Sequence, residues 1–252
     1  MERIEILKKL YLKKSKHSNY QILSNKLSHL MSIDNMHIKS RYEKERLNFI
    51  LNNIDVKGKS ILDIGGNTGF FSFELLDKGA KHVHYVDGNK EHAEFVRLAA
   101  EILEIQEKIT VSEEYYQFTN NIVTKYDVSL LLNVLHHVGD DYGLSKLTVN
   151  EAKDQIIKQL LSLHNSVNYI VFQLGFNWKG DINKRLFNKG TKKELIEFIS
   201  KGVKNIFNIE SIGVAVRKER NIFFESLNKN NIRRDDSLGE FLNRPLFILR
   251  SI

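Results

Sequence analysis

Residues 60–73 read SILDIGGNTGFFSF. The run opens as a short β-branched strand, passes through a glycine-rich turn and continues as an apolar helix. In an open α/β sheet such a junction lies beyond the carboxyl end of a strand, where ligands bind. Gly65, Gly66 and Gly69 lack the Cβ that keeps a backbone away from a ligand. Asn67 is one of the few non-glycine residues that tolerate the left-handed region. The spacing is not G-x-G-x-x-G, and no Lys-Ser or Lys-Thr pair follows to form a phosphate-binding loop. Asp63 places a carboxylate at the mouth of the strand, which opposes a diphosphate and favours a ligand bearing an ammonium group. A tight structural turn is the plainer alternative for the loop taken alone.

Outward from this stretch, strand-like runs recur at 82–87, 108–112, 126–133 and 168–174, with helical patterns near 70–78, 89–105 and 147–164. In the last helix Val149, Ala152, Ile156, Ile157, Leu160 and Leu163 share one face. Strand–helix alternation with apolar strands predicts a mainly parallel, doubly wound α/β sheet covered by helices. The TKKE run, Thr191 to Glu194, has capping-box spacing and opens a further helix that stops at Gly202. Two more strand-like runs, 209–217 and 244–252, are expected to pair as an antiparallel hairpin at the sheet edge, giving seven strands. Residues 1–57 read as a helical lobe of the same domain, residues 58–252 as its α/β part, with insertions at about 176–208 and 217–243.

The 252 residues include no cysteine, which excludes disulfides and thiolate chemistry. No apolar run reaches the roughly 18 residues of a membrane helix, and the amino terminus lacks an apolar signal segment. A cytoplasmic protein with no membrane span is expected. The net charge of +7 admits nucleic acid as a partner, but the basic residues are mostly interspersed with acids. A small acceptor, phosphorylated or nucleotide-linked, is the favoured partner and nucleic acid the lesser alternative.

Asp87, in HYVDGN, stands 22 residues beyond Gly65 at the end of the next strand. An acid at that distance accepts hydrogen bonds from ribose hydroxyls, though it could equally cap the following helix. Glu113 and Glu114 end a further strand where an adenine amino group would lie, with Tyr115 or Tyr116 available to stack. Asn133 closes the strand in YDVSLLLN, and His136 and His137 follow within one turn. A neutral imidazole there is suited to general base work. Asp140 and Asp141 would complete an oxygen-rich metal site only if the segment is a loop, and no metal is expected.

Together ILDIGGNTGFFS, YVDGN and YDVSLLLNVLHHV resemble the class I S-adenosylmethionine-dependent methyltransferases, over about residues 58–175. The resemblance implies a Rossmann-like fold, S-adenosylmethionine as methyl donor and S-adenosylhomocysteine as product. It implies that Asp63, Gly65, Gly66, Asn67, Gly69 and Phe70 hold the methionine part. Asp87, Gly88, Asn89, Glu113, Glu114 and Asn133 would complete the cofactor site. His137, or else His136, would act as the base, because the family's VLHH segment more often points its second histidine toward the acceptor. The G-x-N-x-G-F-F-S loop is similar to that of methyltransferases in bacterial surface-polysaccharide assembly, including bifunctional kinase–methyltransferases that cap O-antigen chains. In this fold the acceptor is usually met by the amino-terminal lobe, here Tyr42 and Arg46, and by loops such as the one carrying Asn177, Trp178, Lys179 and Arg185. The expected activity is O-methylation of a sugar, phosphate or phosphoramidate group in a capsule or surface-polysaccharide precursor. The alternative is methylation of a tRNA wobble uridine.

Overall fold

The computed structural model describes residues 2–13, 20–32, 38, 40–119 and 124–252. The chain divides into two compact units, one of Met1–Leu47 and Asp55–Tyr116, the other of Asn48–Ile54 and Gln117–Ile252.

In the first unit, helices α1 (Glu2–Leu12) and α2 (Asn25–Met31) precede α3 (Glu43–Asn53), which runs on into the second unit. Then come β1 (Ser60–Ile64), α4 (Phe70–Asp77), β2 (His82–Val86), α5 (Lys90–Ile102) and β3 (Ile109–Ser112). The three strands are parallel in the order β3-β2-β1, with Asp63 beside Tyr85 and Val83 beside Ile109. Consecutive strand residues such as Ile61 and Leu62 are fully buried, as expected of a sheet covered on both faces. Helix α4 is buried almost all round, from Phe70 to Leu75, because its sequence FFSFELLD has no wide polar face. Helix α5 buries one stripe, Ala93, Val96 and Ala100 among it, and Asn89 caps its start by accepting from His92 N–H. Tyr11 of α1 packs against Phe95 of α5, and Arg3 pairs with Glu101.

The second unit holds β4 (Tyr126–Leu132), α6 (Val149–Ser162), β5 (Val167–Gln173), α7 (Lys192–Gly202), β6 (Phe207–Lys218), β7 (Asn221–Ser226), α8 (Gly239–Leu242) and β8 (Leu246–Ser251). Strand order is β4-β5-β8-β6-β7, with β4 and β5 parallel and the remaining neighbours antiparallel. Thr148 and Thr191 each form a full capping box, with Glu151 and Glu194. Gly202 ends α7 against Ile157 of α6, where a Cβ would come within 2.4 Å of that side chain.

The α/β class, the parallel strands and the antiparallel edge agree with the sequence reading. Eight strands form among the described residues rather than seven. The added strand is β7, a hairpin partner of β6 turned at Glu219, where φ is 55°. Its sequence NIFFES lies directly after the charged run RKER. That run reads as surface, which it is, but it also makes the turn.

Candidate active site

The loop between β1 and α4 is held from below by β2. Gly65 N–H bonds the Val86 carbonyl at 2.8 Å, and Tyr85 donates its hydroxyl to the Asn67 carbonyl at 2.5 Å. Gly65, Asn67 and Gly69 all have positive φ, the conformation that the residue types anticipate. Gly66 is required for a different reason: a Cβ there would lie 2.5 Å from the buried Tyr85 ring and 3.0 Å from Asp63 Oδ2.

Asp63 is 3% exposed and accepts from Ser72 Oγ at 2.7 Å. Burial pushes its carboxyl up to about 7; the Ser72 hydrogen bond opposes that rise and the nearby Asp87 charge adds to it. A carboxylate so placed gains most from a cationic ligand. Asp87 Oδ2 accepts from Asn67 N–H and Oδ1 from Asn89 N–H, both at 2.8 Å, so the acid stitches the loop to the start of α5. Each oxygen retains acceptor capacity for a hydroxyl. Tyr115 packs on Gly88, where a Cβ would fall 2.5 Å from its ring, and the side chain is half open to solvent. Glu113 pairs with Arg97 at 3.0 Å, and Glu114 is exposed. The Phe70 ring is buried edge-on to Phe71, and its N–H donates to Gln21 Oε1 at 2.9 Å.

In the second unit Asn133 ends β4 with φ of 63°. Its Nδ2 donates to Gln173 Oε1 at 2.9 Å and its Oδ1 accepts from Arg244 Nη1 at 2.8 Å. Glu240 in turn holds the Arg244 guanidinium. The ends of β4, β5 and the approach to β8 are thereby tied side chain to side chain. His136 and His137 follow in one 3₁₀ turn, residues 135–137. His136 is 3% exposed and packed on Gly175, whose N–H points to its Nδ1 at 3.4 Å. His137 is half-buried, its Nδ1 3.3 Å from Asp141 Oδ2 and 3.9 Å from Asp140 Oδ2. The carboxylates favour the tautomer with the proton on Nδ1, which leaves the lone pair on Nε2.

Trp178 and Lys179 brace this turn. Trp178 is buried and donates Nε1–H to the Val138 carbonyl at 2.7 Å, while Lys179 Nζ donates to the Gly139 carbonyl at 2.6 Å. Asn177 and Arg185 face each other as an isolated antiparallel bridge, with Arg185 exposed. In the first unit, Tyr42 is half-buried with φ of 57°, and Arg46 is buried over the Phe71 ring. The ligand atoms of His137, Asp140 and Asp141 lie within 4.8 Å of one another, close enough to chelate a cation.

No protein-family model matches the chain, and neither does any curated protein sequence. Solved structures do match. One structure of the bifunctional kinase-methyltransferase WbdD aligns with a TM-score of 0.58 at 14% identity, over 97% of this chain and 46% of that one. A second WbdD structure gives 0.60 at 15% identity, over 97% and 41%. A candidate hemolysin from Streptococcus thermophilus gives 0.52 at 14% identity, over 87% and 69%. The chain therefore spans less than half the length of the WbdD chains it matches. The fold is that of a class I methyltransferase, with its likeness to WbdD running over nearly the whole chain.

Several residues at the two sites escape a reading of motifs. Tyr85, Ser72 and Gln21 shape the glycine loop, and Gln173, Arg244 and Asp141 orient the β4 turn. Register could have found Tyr85, which sits opposite Asp63. Arg244 lies 111 positions from Asn133 and has no local signal.

Proposed function

We propose that the chain is an S-adenosylmethionine-dependent O-methyltransferase acting on a small polar acceptor, a sugar, phosphate or phosphoramidate group of a surface-polysaccharide precursor. The observation that carries this reading is the pair of acids around one glycine loop. Asp63 is buried, where an ammonium would offset its charge, and the Asp87 oxygens would accept from hydroxyls. A diphosphate would meet two negative charges there, whereas an adenosine bearing an amino acid would meet complementary groups. When bound, S-adenosylmethionine supplies an electrophilic methyl on a sulfonium. The chain's own work is to bind, to orient and to take the acceptor proton at Nε2 of His137, with Asp141 holding the ring's orientation. The similarity of the glycine loop to that of surface-polysaccharide methyltransferases supports the acceptor class.

Asp87→Ala is expected to weaken S-adenosylhomocysteine binding by about tenfold to a hundredfold in calorimetry, the loss of a charge-assisted hydrogen bond to each hydroxyl. Unchanged affinity would remove the donor assignment. The acceptor is tested by methyl transfer to nucleotide-linked sugars and phosphate derivatives beside bulk tRNA. Turnover on tRNA alone, with steep salt dependence, would favour the wobble-uridine reading. Many basic side chains are paired locally, Lys26 with Asp77, Lys218 with Glu225 and Arg250 with Glu210, which argues against a continuous phosphate-binding face. Activity is further expected to persist in a metal chelator. Loss of turnover that magnesium or manganese restores would instead make His137, Asp140 and Asp141 ligands of a cation.

A further inference from the structure

Arg244 lies between α8 and β8 in the second unit. Leu246, the first residue of β8, is in register with Gln173, the last of β5, and so is Leu132 at the end of β4. Arg244 therefore stands at the same end of the sheet as Asn133 and the His136–His137 turn, the end where open α/β sheets bind ligands.

Its guanidinium is fixed from several sides. Nε and Nη2 donate to Glu240 at 3.1 and 2.6 Å, and Nη1 donates to Asn133 Oδ1 at 2.8 Å. Cζ lies 5.1 Å from the centre of the Phe241 ring, and the Arg244 carbonyl accepts from Gln173 Nε2 at 3.0 Å. Glu240 is anchored in turn by the Phe176 N–H at 3.2 Å. A guanidinium carries five N–H groups. Glu240 and Asn133 take three of them, so one N–H on each terminal nitrogen has no partner among the described residues. The side chain is 13% exposed, largely desolvated yet still within reach of a ligand. Two donors on neighbouring nitrogens, held in advance, match two oxygens of one phosphate. A sugar hydroxyl offers one oxygen and no charge.

We propose that Arg244 binds a phosphoryl group of the methyl acceptor with these two N–H groups, while Glu240 and Asn133 hold the guanidinium in place. This rests on the reading of the His137 turn as the acceptor side and deepens it, since the acceptor then carries a phosphate. Glu240 offsets part of the guanidinium's charge, so the grip on one phosphate is modest.

The test titrates the wild-type chain with inorganic phosphate, glucose 1-phosphate and glucose in a calorimeter. Both phosphates are expected to bind with Kd of about 1 to 10 mM, and glucose to show no binding over the same range. Arg244→Gln weakens phosphate binding by about tenfold or more, and Arg244→Lys, which keeps the charge but not the fork, by less. Glu240→Gln moves the other way. It keeps an oxygen for the Phe176 N–H and removes a competing negative charge, so phosphate binds about threefold to tenfold more tightly. A merely structural Arg244–Glu240 pair would lose affinity in both variants or in neither. Glu240→Gln also decides the matter if Arg244→Gln does not fold. Phosphate affinity that neither variant changes, glucose binding equal to that of the phosphates, or no phosphate binding at about 20 mM overturns the proposal. Binding of inorganic phosphate without glucose 1-phosphate overturns the assignment to the acceptor. S-adenosylhomocysteine is titrated alongside, and its failure to bind a chain that holds phosphate through Arg244 overturns the donor reading while supporting this one.

Discussion

Asp63→Asn is expected to abolish strong binding of S-adenosylhomocysteine while making the ligand-free protein more stable. The two effects have one cause. Asp63 is buried beneath the glycine loop, and burial raises its carboxyl from 3.8 to about 7. Between these values the unfolded chain has given up a proton that the folded chain keeps, so stability falls as pH rises through that window and levels off above it. Asparagine can still accept from Ser72 and carries no charge to desolvate. The variant should therefore match the wild type near pH 4 and exceed it by about 2 to 4 kcal/mol at pH 8, by denaturant unfolding. Binding moves the other way. An ammonium beside Asp63 requires the ionised form, so wild-type affinity should fall as pH drops below about 7, approaching tenfold per unit. Removing one partner of a buried charge pair should lower affinity about a hundredfold or more. A variant that binds the ligand normally, or that is less stable than the wild type at pH 8, contradicts the placement of Asp63.

His137→Ala is expected to lower turnover by about a hundredfold to ten-thousandfold, with S-adenosylhomocysteine affinity unchanged within about twofold. His136→Ala should behave differently. Its ring is packed on Gly175, so its loss opens a cavity, lowers thermal stability and affects turnover indirectly. Asp141→Asn should lower turnover by less than His137→Ala does, since the ring stays but loses the carboxylate 3.3 Å from Nδ1. If His137→Ala turns over normally, the acceptor oxygen arrives already ionised and no base is used. If only His136→Ala shows the kinetic loss, the roles of the two rings are reversed.

The fold was legible because local signals agree with the global arrangement. The strands 60–64 and 126–132, and the helix opened by the capping box at Thr191, fall within a residue or so of the sequence reading. What motif reading misses is held by distant partners. Arg244 fixes Asn133, Gln21 fixes Phe70, and Trp178 turns inward to brace a carbonyl, although its loop reads as an exposed recognition surface. The glycine loop was legible in residue type because positive φ and close approach restrict which residues fit. The burial of Arg46 over the Phe71 ring was not, since it depends on a contact between distant segments.

We propose the loop of residues 65–69, between two acids, as a site for an adenosine carrying an amino acid. Calorimetric titration of S-adenosylhomocysteine into the wild-type chain at pH 8, repeated with ATP and NAD, tests it most directly. One site per chain is expected, with Kd on the order of micromolar and no competition from either phosphate-bearing nucleotide. No binding of S-adenosylhomocysteine at about 1 mM, or tighter binding of NAD at the same loop, would contradict it.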